Sequence, residues 1–284
     1  MINKRKIFLT TIILAIVSIT IGIIIIFLHK SKQAQVAVIP TPTSIKVMSY
    51  NINHGEDING GYGLKEIIEL IKIEKPDFVL LNDVDNIAIR TYREDQARKI
   101  AGNLGMYFTF GKTMEVEEGW NGNAILSKYP IKYSENRFFK KTTEGEAQSM
   151  LYAVFIAGEK NIHLVTTELS NDPLVSELQN MEVVDKIVAI MSKFAVNDPL
   201  ILAGSFKMNY DHISIKGMNN YLGNVTSSDT KADKVTYPGN DPQFQYDYIF
   251  YRKNINLISK KVWKDNNTKN ASDHLPVIAE FDLR

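Results

Sequence analysis

The chain has no cysteine at any of its 284 positions. A disulfide framework, a thiolate metal centre and a lipidated-cysteine anchor are therefore all excluded. A strong net charge is also missing: 33 Lys and Arg face 32 Asp and Glu, for a formal +1. That near-balance hides an asymmetry, because residues 1–32 contain no acid while holding Lys4, Arg5, Lys6, Lys30 and Lys32. The rest of the chain is mildly acidic. Such a surface is poorly suited to sequence-independent binding of nucleic acid, which depends on neutralising phosphates. Internal repeats are absent as well, and so are low-complexity blocks beyond one N-terminal apolar run.

One long apolar run is present. From Ile7 to Leu28 there is no charge and much Ile and Leu, enough helix to cross roughly 30 Å of hydrocarbon. The residues after it, His29 to Val36, offer no convincing small-x-small cleavage site, so an uncleaved anchor is expected rather than a removed signal. Lys4, Arg5, Lys6 and the amino terminus outweigh Lys30 and Lys32, which favours a cytoplasmic N-terminus. The expected organisation is a tail at 1–6, a transmembrane signal anchor at 7–28, a linker at 29–44 containing Pro40-Thr41-Pro42-Thr43, and an extracytoplasmic domain at 45–284. The expected location is the cell membrane, in a single pass.

Within the domain, Ile45 to Tyr50 alternates as a strand and ends at Asn51-Ile52-Asn53-His54-Gly55. Leu64, Ile67, Ile68 and Ile71 recur at helical spacing, and Lys75-Pro76-Asp77 ends that helix. Phe78-Val79-Leu80-Leu81 reads as a buried strand delivering Asn82, Asp83 and Asp85 to its end. Arg93 to Leu104 reads as a helix, and Gly119 to Ser127 as a turn running into a strand. Met150–Ile156 and Asn161–Thr167 are strand-like, the second presenting Glu168. Val175 to Phe194 reads as a helix with Leu178, Met181, Val184, Val188 and Met191 on its core face. Leu200-Ile201-Leu202-Ala203 leads into Gly204, a buried strand whose rim carries Ser205 and Lys207. A polar region from Asp211 to Asn240 follows, then strands at Tyr246–Tyr251 and Leu257–Trp263, and Ser272-Asp273-His274-Leu275-Pro276 before the last strand. Strands with helices interspersed imply an α/β domain whose helices cover sheet faces. Polar residues gather where the strands end, the usual place for a site. His54, His163 and His212 read as ordinary surface or strand residues.

Ser49-Tyr50-Asn51-Ile52, Lys75-Pro76-Asp77 leading to Asp83, Gly122-Asn123-Ala124-Ile125-Leu126-Ser127, Tyr246-Asp247-Tyr248-Ile249-Phe250 and Ser272-Asp273-His274-Leu275-Pro276 occur in that order. Together they resemble the endonuclease/exonuclease/phosphatase superfamily of deoxyribonuclease-like metal phosphoesterases. The resemblance implies a four-layer α/β/β/α sandwich of two mixed sheets, with the site at one end. It implies catalytic roles for Asp247, Asp273 and His274, metal contacts from Asn51 and Asp83, and substrate contacts from Asn123, Glu168, Ser205 and Lys207. Magnesium or manganese would be the cofactor of an active member, and an inactive one would need none.

The matching positions are not all kept. Asn82-Asp83 stands where the family has Gln-Glu, and Glu168 where it has the His of a Thr-His-Leu strand end. Ser205 replaces the Asp that activates water, and Lys207 replaces the Asn that holds phosphate. A carboxylate accepts a proton near neutral pH and an unassisted Ser hydroxyl does not; losing one such group costs about 10²–10⁴ in rate. Lys207 brings a cation to where metal and phosphate must approach, and is expected to pair with Glu168 or Asp83. The sequence thus favours a monomeric, membrane-anchored binding or scaffolding module over its alternative, an active metal-dependent phosphoesterase with a rebuilt site. The partner is a phosphoester or an unidentified ligand.

Overall fold

A computed structural model describes residues 17–22, 40–140, 147–193 and 198–284. The chain divides into two compact units, Met1–Pro40 and Thr41–Arg284. In the first, residues 17–22 are helical. Most of the expected 7–28 span lies outside the described residues, and among those described no helix is long and apolar enough to cross a membrane.

The second unit is built on two mixed six-stranded sheets. In the first sheet the strands are β1 (Ser44–Asn51), β2 (Phe78–Asn86), β3 (Tyr107–Val116), β4 (Gly119–Ser127), β11 (Asn256–Val262) and β12 (Val277–Asp282), in the spatial order β11-β12-β1-β2-β4-β3. The second holds β5 (Ile131–Phe138), β6 (Ser149–Ala157), β7 (Lys160–Glu168), β8 (Leu200–Ser205), β9 (Gly223–Asn224) and β10 (Asp247–Tyr251), in the order β5-β6-β7-β8-β10-β9. Among the described residues only β1–β2 and β7–β8 pair in parallel. Each parallel pair needs a crossover helix: α1 (Leu64–Glu74) joins β1 to β2, and α3 (Pro173–Lys193) joins β7 to β8. The remaining helices are α2 (Gln96–Leu104), α4 (Ile213–Met218), α5 (Lys231–Lys234) and α6 (Asn266–Ala271).

Period-two alternation divides each central strand between two cores. Ile45, Val47, Phe78 and Leu80 point at the other sheet and meet Leu151, Phe155, Leu164, Ile201 and Ile249. Their neighbours Met48, Tyr50, Val79 and Leu81 point outward onto Ile67 and Ile71 of α1 and Ile100 of α2. On the far side, Val165, Leu202 and Phe250 meet Val183, Ile187 and Ile190 of α3. The result is two sheets face to face with helices outside. Truncating a ring buried between the sheets, such as Phe78→Ala, is expected to cost about 3–5 kcal/mol.

Two expectations are corrected, and two regions hold elements that the sequence pattern does not show. The buried face of α3 is Ser176, Gln179, Asn180, Val183, Ile187 and Ile190, while Leu178, Met181 and Val188 are exposed. Polar groups win that face because they have work there: the Gln179 side chain accepts the Ser170 N–H at 2.8 Å, and Asn180 reaches the Ser214 carbonyl. Helix α2 starts at Gln96 rather than Arg93, because the Asp95 side chain accepts the Arg98 N–H and caps it. Strands β3 and β5 were not anticipated; both are sheet edges with mostly part-exposed residues, so their alternation is blurred. The polar 211–240 region, to which the sequence pattern assigns no element, contains α4, β9 and α5.

Candidate functional site

Two rows of strand ends face each other at one end of the sandwich. In the second sheet, register places Glu168 of β7 beside Ser205 of β8, and Ser205 beside Asp247 of β10. In the first, Asn51 of β1 lies beside Asn82 of β2, with Asp83 next along. Gly204 lets the second row close. Its φ is 145°, and a Cβ there would fall 1.9 Å from the Thr167 carbonyl oxygen. Any side chain would push β8 away from β7.

Side chains then tie one row to the other. Asn51 Nδ2 donates to Glu168 Oε1 at 2.9 Å, and Asn51 Oδ1 accepts the Asn53 N–H at 3.0 Å. Asn82 Nδ2 donates to Asn123 Oδ1 at 2.6 Å and to Thr166 Oγ1 at 3.1 Å. Asn123 Nδ2 donates to the Ser149 carbonyl. Asn123, expected to contact substrate, is buried with both ends of its amide engaged, and serves as an inter-sheet tie.

Lys207 follows β8 with a left-handed backbone, φ 55°, a conformation that Lys seldom adopts. It aims its ammonium at Glu168: Nζ lies 2.9 Å from Oε1, the oxygen that also accepts Asn51. Both side chains are only 13% exposed. Burial works against the ammonium, but Glu168, then Asp247 and Asp83, hold its pKa above the ordinary Lys value. Burial likewise pushes the Glu168 carboxyl up, with Lys207 acting against that push. The expected pairing of Lys207 is therefore found, with Glu168 as the partner.

Asp247 and His274 form a buried pair, Nδ1 to Oδ2 at 2.7 Å. The Tyr237 ring packs against the imidazole, centroids 4.9 Å apart, and the Ser272 hydroxyl accepts the backbone N–H of His274, which fixes the main chain from which the ring projects. Asp273 is part-exposed, its Oδ1 3.5 Å from the Ser272 hydroxyl. Ser205 is fully buried, and among the described residues neither its hydroxyl nor Asp247 Oδ1 has a hydrogen-bond partner.

Asp83 is enclosed by residues that sequence reading passed over. Its φ is 51°, its Oδ1 accepts Asn121, its Oδ2 lies 3.4 Å from His54 Nδ1, and Arg90 Nη2 stands 3.9 Å away. Burial opposes its ionisation, yet His54, Asn121 and Arg90 together hold its carboxyl below the usual range. Arg90 also clamps the buried Asp85 with two bonds of 2.7 and 2.8 Å. His54 is thus part of the site. The available signal was its place in Asn53-His54-Gly55 just beyond a strand end, where the backbone turns through positive φ at all three residues.

A divalent ion, which the resemblance implies, can be tested against these donors. Asn51 Oδ1 is occupied by a backbone N–H, Asp83 by His54 and Asn121, and Glu168 by an ammonium and an amide. Among the described residues no cluster of three or more His, Asp or Glu side chains is arranged to hold a metal. The donor set, in this arrangement, does not fit the ion: its charge partners are already matched from within the chain.

Comparison with known proteins agrees with the strand-end pattern. Residues 48–274 match the model of the Endonuclease/Exonuclease/phosphatase family. An Escherichia coli K12 protein, the uncharacterised YbhP, is 23% identical over 256 residues, spanning 84% of this chain and 97% of its own. Among solved structures, an endonuclease/exonuclease/phosphatase family protein of Bacteroides thetaiotaomicron superposes with a TM-score of 0.69 at 16% identity, covering 86% of this chain and 99% of its own. The human Nocturnin catalytic domain, solved with a bound sulfate anion, gives 0.68 at 19%, covering 84% and 94%. A mannosyl-6-phosphatase of B. thetaiotaomicron gives 0.67 at 16%, covering 84% and 99%. At these identities the structural likenesses establish the fold, while the family model spans most of the chain and carries the assignment. This chain belongs to the endonuclease/exonuclease/phosphatase family.

Proposed function

We propose that the domain is a non-hydrolytic member of its family, a binding or scaffolding module held outside the cell membrane by its N-terminal segment. The observation that carries this reading is the Lys207–Glu168 pair, an internal cation 2.9 Å from a carboxylate between the two strand-end rows. Beside it, Ser205 stands where the family's activating carboxylate stands. Its buried hydroxyl makes no hydrogen bond among the described residues, so no base is in contact with it to take its proton. The uncharged run Ile7–Leu28 supports anchoring, and the basic residues before it support a cytoplasmic N-terminus. The mildly acidic remainder disfavours nucleic acid as the partner.

A second reading, an active phosphoester hydrolase using magnesium or manganese, is favoured by the His274–Asp247 pair at 2.7 Å. The deciding experiment measures release of p-nitrophenol from its phosphate monoester and diester by the full chain, with magnesium, manganese or chelator. An Asp247→Ala/His274→Ala double variant controls for contaminating enzyme. No turnover above that control is expected. Metal-dependent turnover abolished in the double variant would replace the first reading with the second.

A further inference from the structure

The seam where β3 meets β5, the neighbouring edges of the two sheets, opens into a groove with a volume of about 410 Å³. Phe110, Trp120 and Phe138 supply its rings, and Asn86, Lys112 and Asn136 its polar groups. Its floor is Gly111, where a Cβ would lie 2.5 Å from Asn136 Oδ1. Asn136 is fixed against that floor by donating to the Lys112 carbonyl and accepting the Ser149 hydroxyl, both at 2.7 Å. The groove is therefore built from ordered strand residues.

Its polar groups are in part unused. Lys112 Nζ sits 3.8 Å from the centroid of the Trp120 ring, and among the described residues it has no carboxylate partner. The Trp120 indole N–H and the Asn86 side-chain amide likewise make no hydrogen bond among the described residues. Three polar groups that bind nothing else among the described residues, part-buried or exposed, thus line a partly aromatic hollow, the composition of a ligand site. The groove also adjoins the strand-end site. Register pairs Trp120 with Asn86 and Asn121 with Asp85 immediately beside them, and Asn121 is the residue that reaches Asp83.

We infer that this groove binds a sugar ring carrying an anionic group. A pyranose has apolar C–H faces that pack on aromatic rings, and hydroxyls that need donors and acceptors at its edge. Phe110, Phe138 and the Trp120 edge supply the first requirement; the Asn86 amide and the indole N–H supply the second. The ammonium of Lys112, already desolvated on one side by the indole, selects for a carboxylate or phosphate. A nucleobase fits less well, because it needs an open aromatic face and one face of Trp120 is covered by that ammonium. The inference rests on reading the domain as a binding module, and it specifies the ligand class that the module takes.

The chain contains two tryptophans, Trp120 and Trp263. In the full chain carrying Trp263→Phe, indole fluorescence reports on the groove alone, and calorimetric titration of the unaltered chain checks it. The probes are glucuronate, glucose 6-phosphate, glucose and AMP. Both or either of the anionic sugars is expected to bind with a Kd of about 1 mM or tighter, and Lys112→Met to weaken that binding by about tenfold or more. The tighter of the two identifies a uronate or a phosphosugar as the source. No response to either up to about 10 mM, glucose binding as tightly as its anionic relatives, AMP binding as tightly as either, or an unaltered Kd in Lys112→Met would each overturn the inference. Phosphate release is followed in the same samples. Release from glucose 6-phosphate alongside Lys112-dependent binding of glucuronate would end the non-hydrolytic reading and leave the groove standing. Absence of both binding and release would do the reverse.

Discussion

Lys207 Nζ and Asn51 Nδ2 converge on a single oxygen of Glu168, each at 2.9 Å. One carboxylate thereby joins the end of β1 in the first sheet to the turn after β8 in the second.

Removing one member of such a pair leaves a charge largely out of water with nothing to match it. Lys207→Met is expected to destabilise the domain by about 3 kcal/mol, the lower end for a broken buried pair because both side chains keep some exposure. The double variant Lys207→Met/Glu168→Gln is expected to recover most of the loss, since the amide still accepts Asn51. Urea denaturation of the unaltered chain, of Lys207→Met and Glu168→Gln singly, and of the double variant gives the coupling directly. A double variant no more stable than Lys207→Met would mean that the ammonium holds no special place in the pocket.

The same pair predicts indifference to divalent ions. The melting temperature of the unaltered chain is expected to be the same in magnesium, manganese or chelator. In the triple variant Glu168→His/Ser205→Asp/Lys207→Asn, the cation is gone and a carboxylate is restored. Manganese at 100 times its Kd is then expected to stabilise the fold by about 2.7 kcal/mol. Scanning calorimetry tests both chains. A manganese response already present in the unaltered chain contradicts the account of Lys207 as an internal counter-ion.

How much of this could be read in advance depended on the kind of signal. The polar strand ends were legible because buried strands such as Leu200 to Ala203 and Phe78 to Leu81 are continuous apolar runs whose stops are sharp. The Lys207–Glu168 pair was legible because two opposite charges departed together from one pattern. Edge strands β3 and β5 were not, since an edge next to solvent alternates weakly. The face of α3 was misjudged because apolar spacing was followed, whereas Gln179 and Asn180 take buried positions by satisfying backbone groups elsewhere. His54 and Arg90 were invisible to periodicity altogether. They reach Asp83 only through positive-φ turns and the chain path around β2.

Ser205 supplies a test that separates a working hydroxyl from an inherited small residue. Its oxygen is buried without a partner among the described residues, and an unpaired buried hydroxyl costs about 1–3 kcal/mol relative to one that is satisfied. Ser205→Ala removes that burden at nearly constant volume. Stability is expected to stay level or rise by about 1 kcal/mol, measured as the urea midpoint. A clear loss of stability would show that the hydroxyl makes a favourable interaction in solution.

A last prediction concerns pH and lies away from the strand-end site. His163 is buried on β7, with Nδ1 2.9 Å from the Tyr152 hydroxyl and Nε2 3.4 Å from Asp198. Burial depresses its pKa below the ordinary 6.5, with Lys132 and Arg252 adding to the shift and Asp198 opposing it. The unfolded chain therefore takes up this proton at a higher pH than the folded one. Between the two values the unfolded state holds more protons, so stability rises with pH. The contribution is complete above the unfolded value and is lost as pH falls through the folded one. Urea midpoints taken from about pH 7.5 down to about pH 5 should fall more steeply for the unaltered chain than for His163→Gln, which cannot titrate. Parallel slopes would mean that His163 is protonated as readily inside the fold as outside it, and that Asp198, not burial, sets its charge.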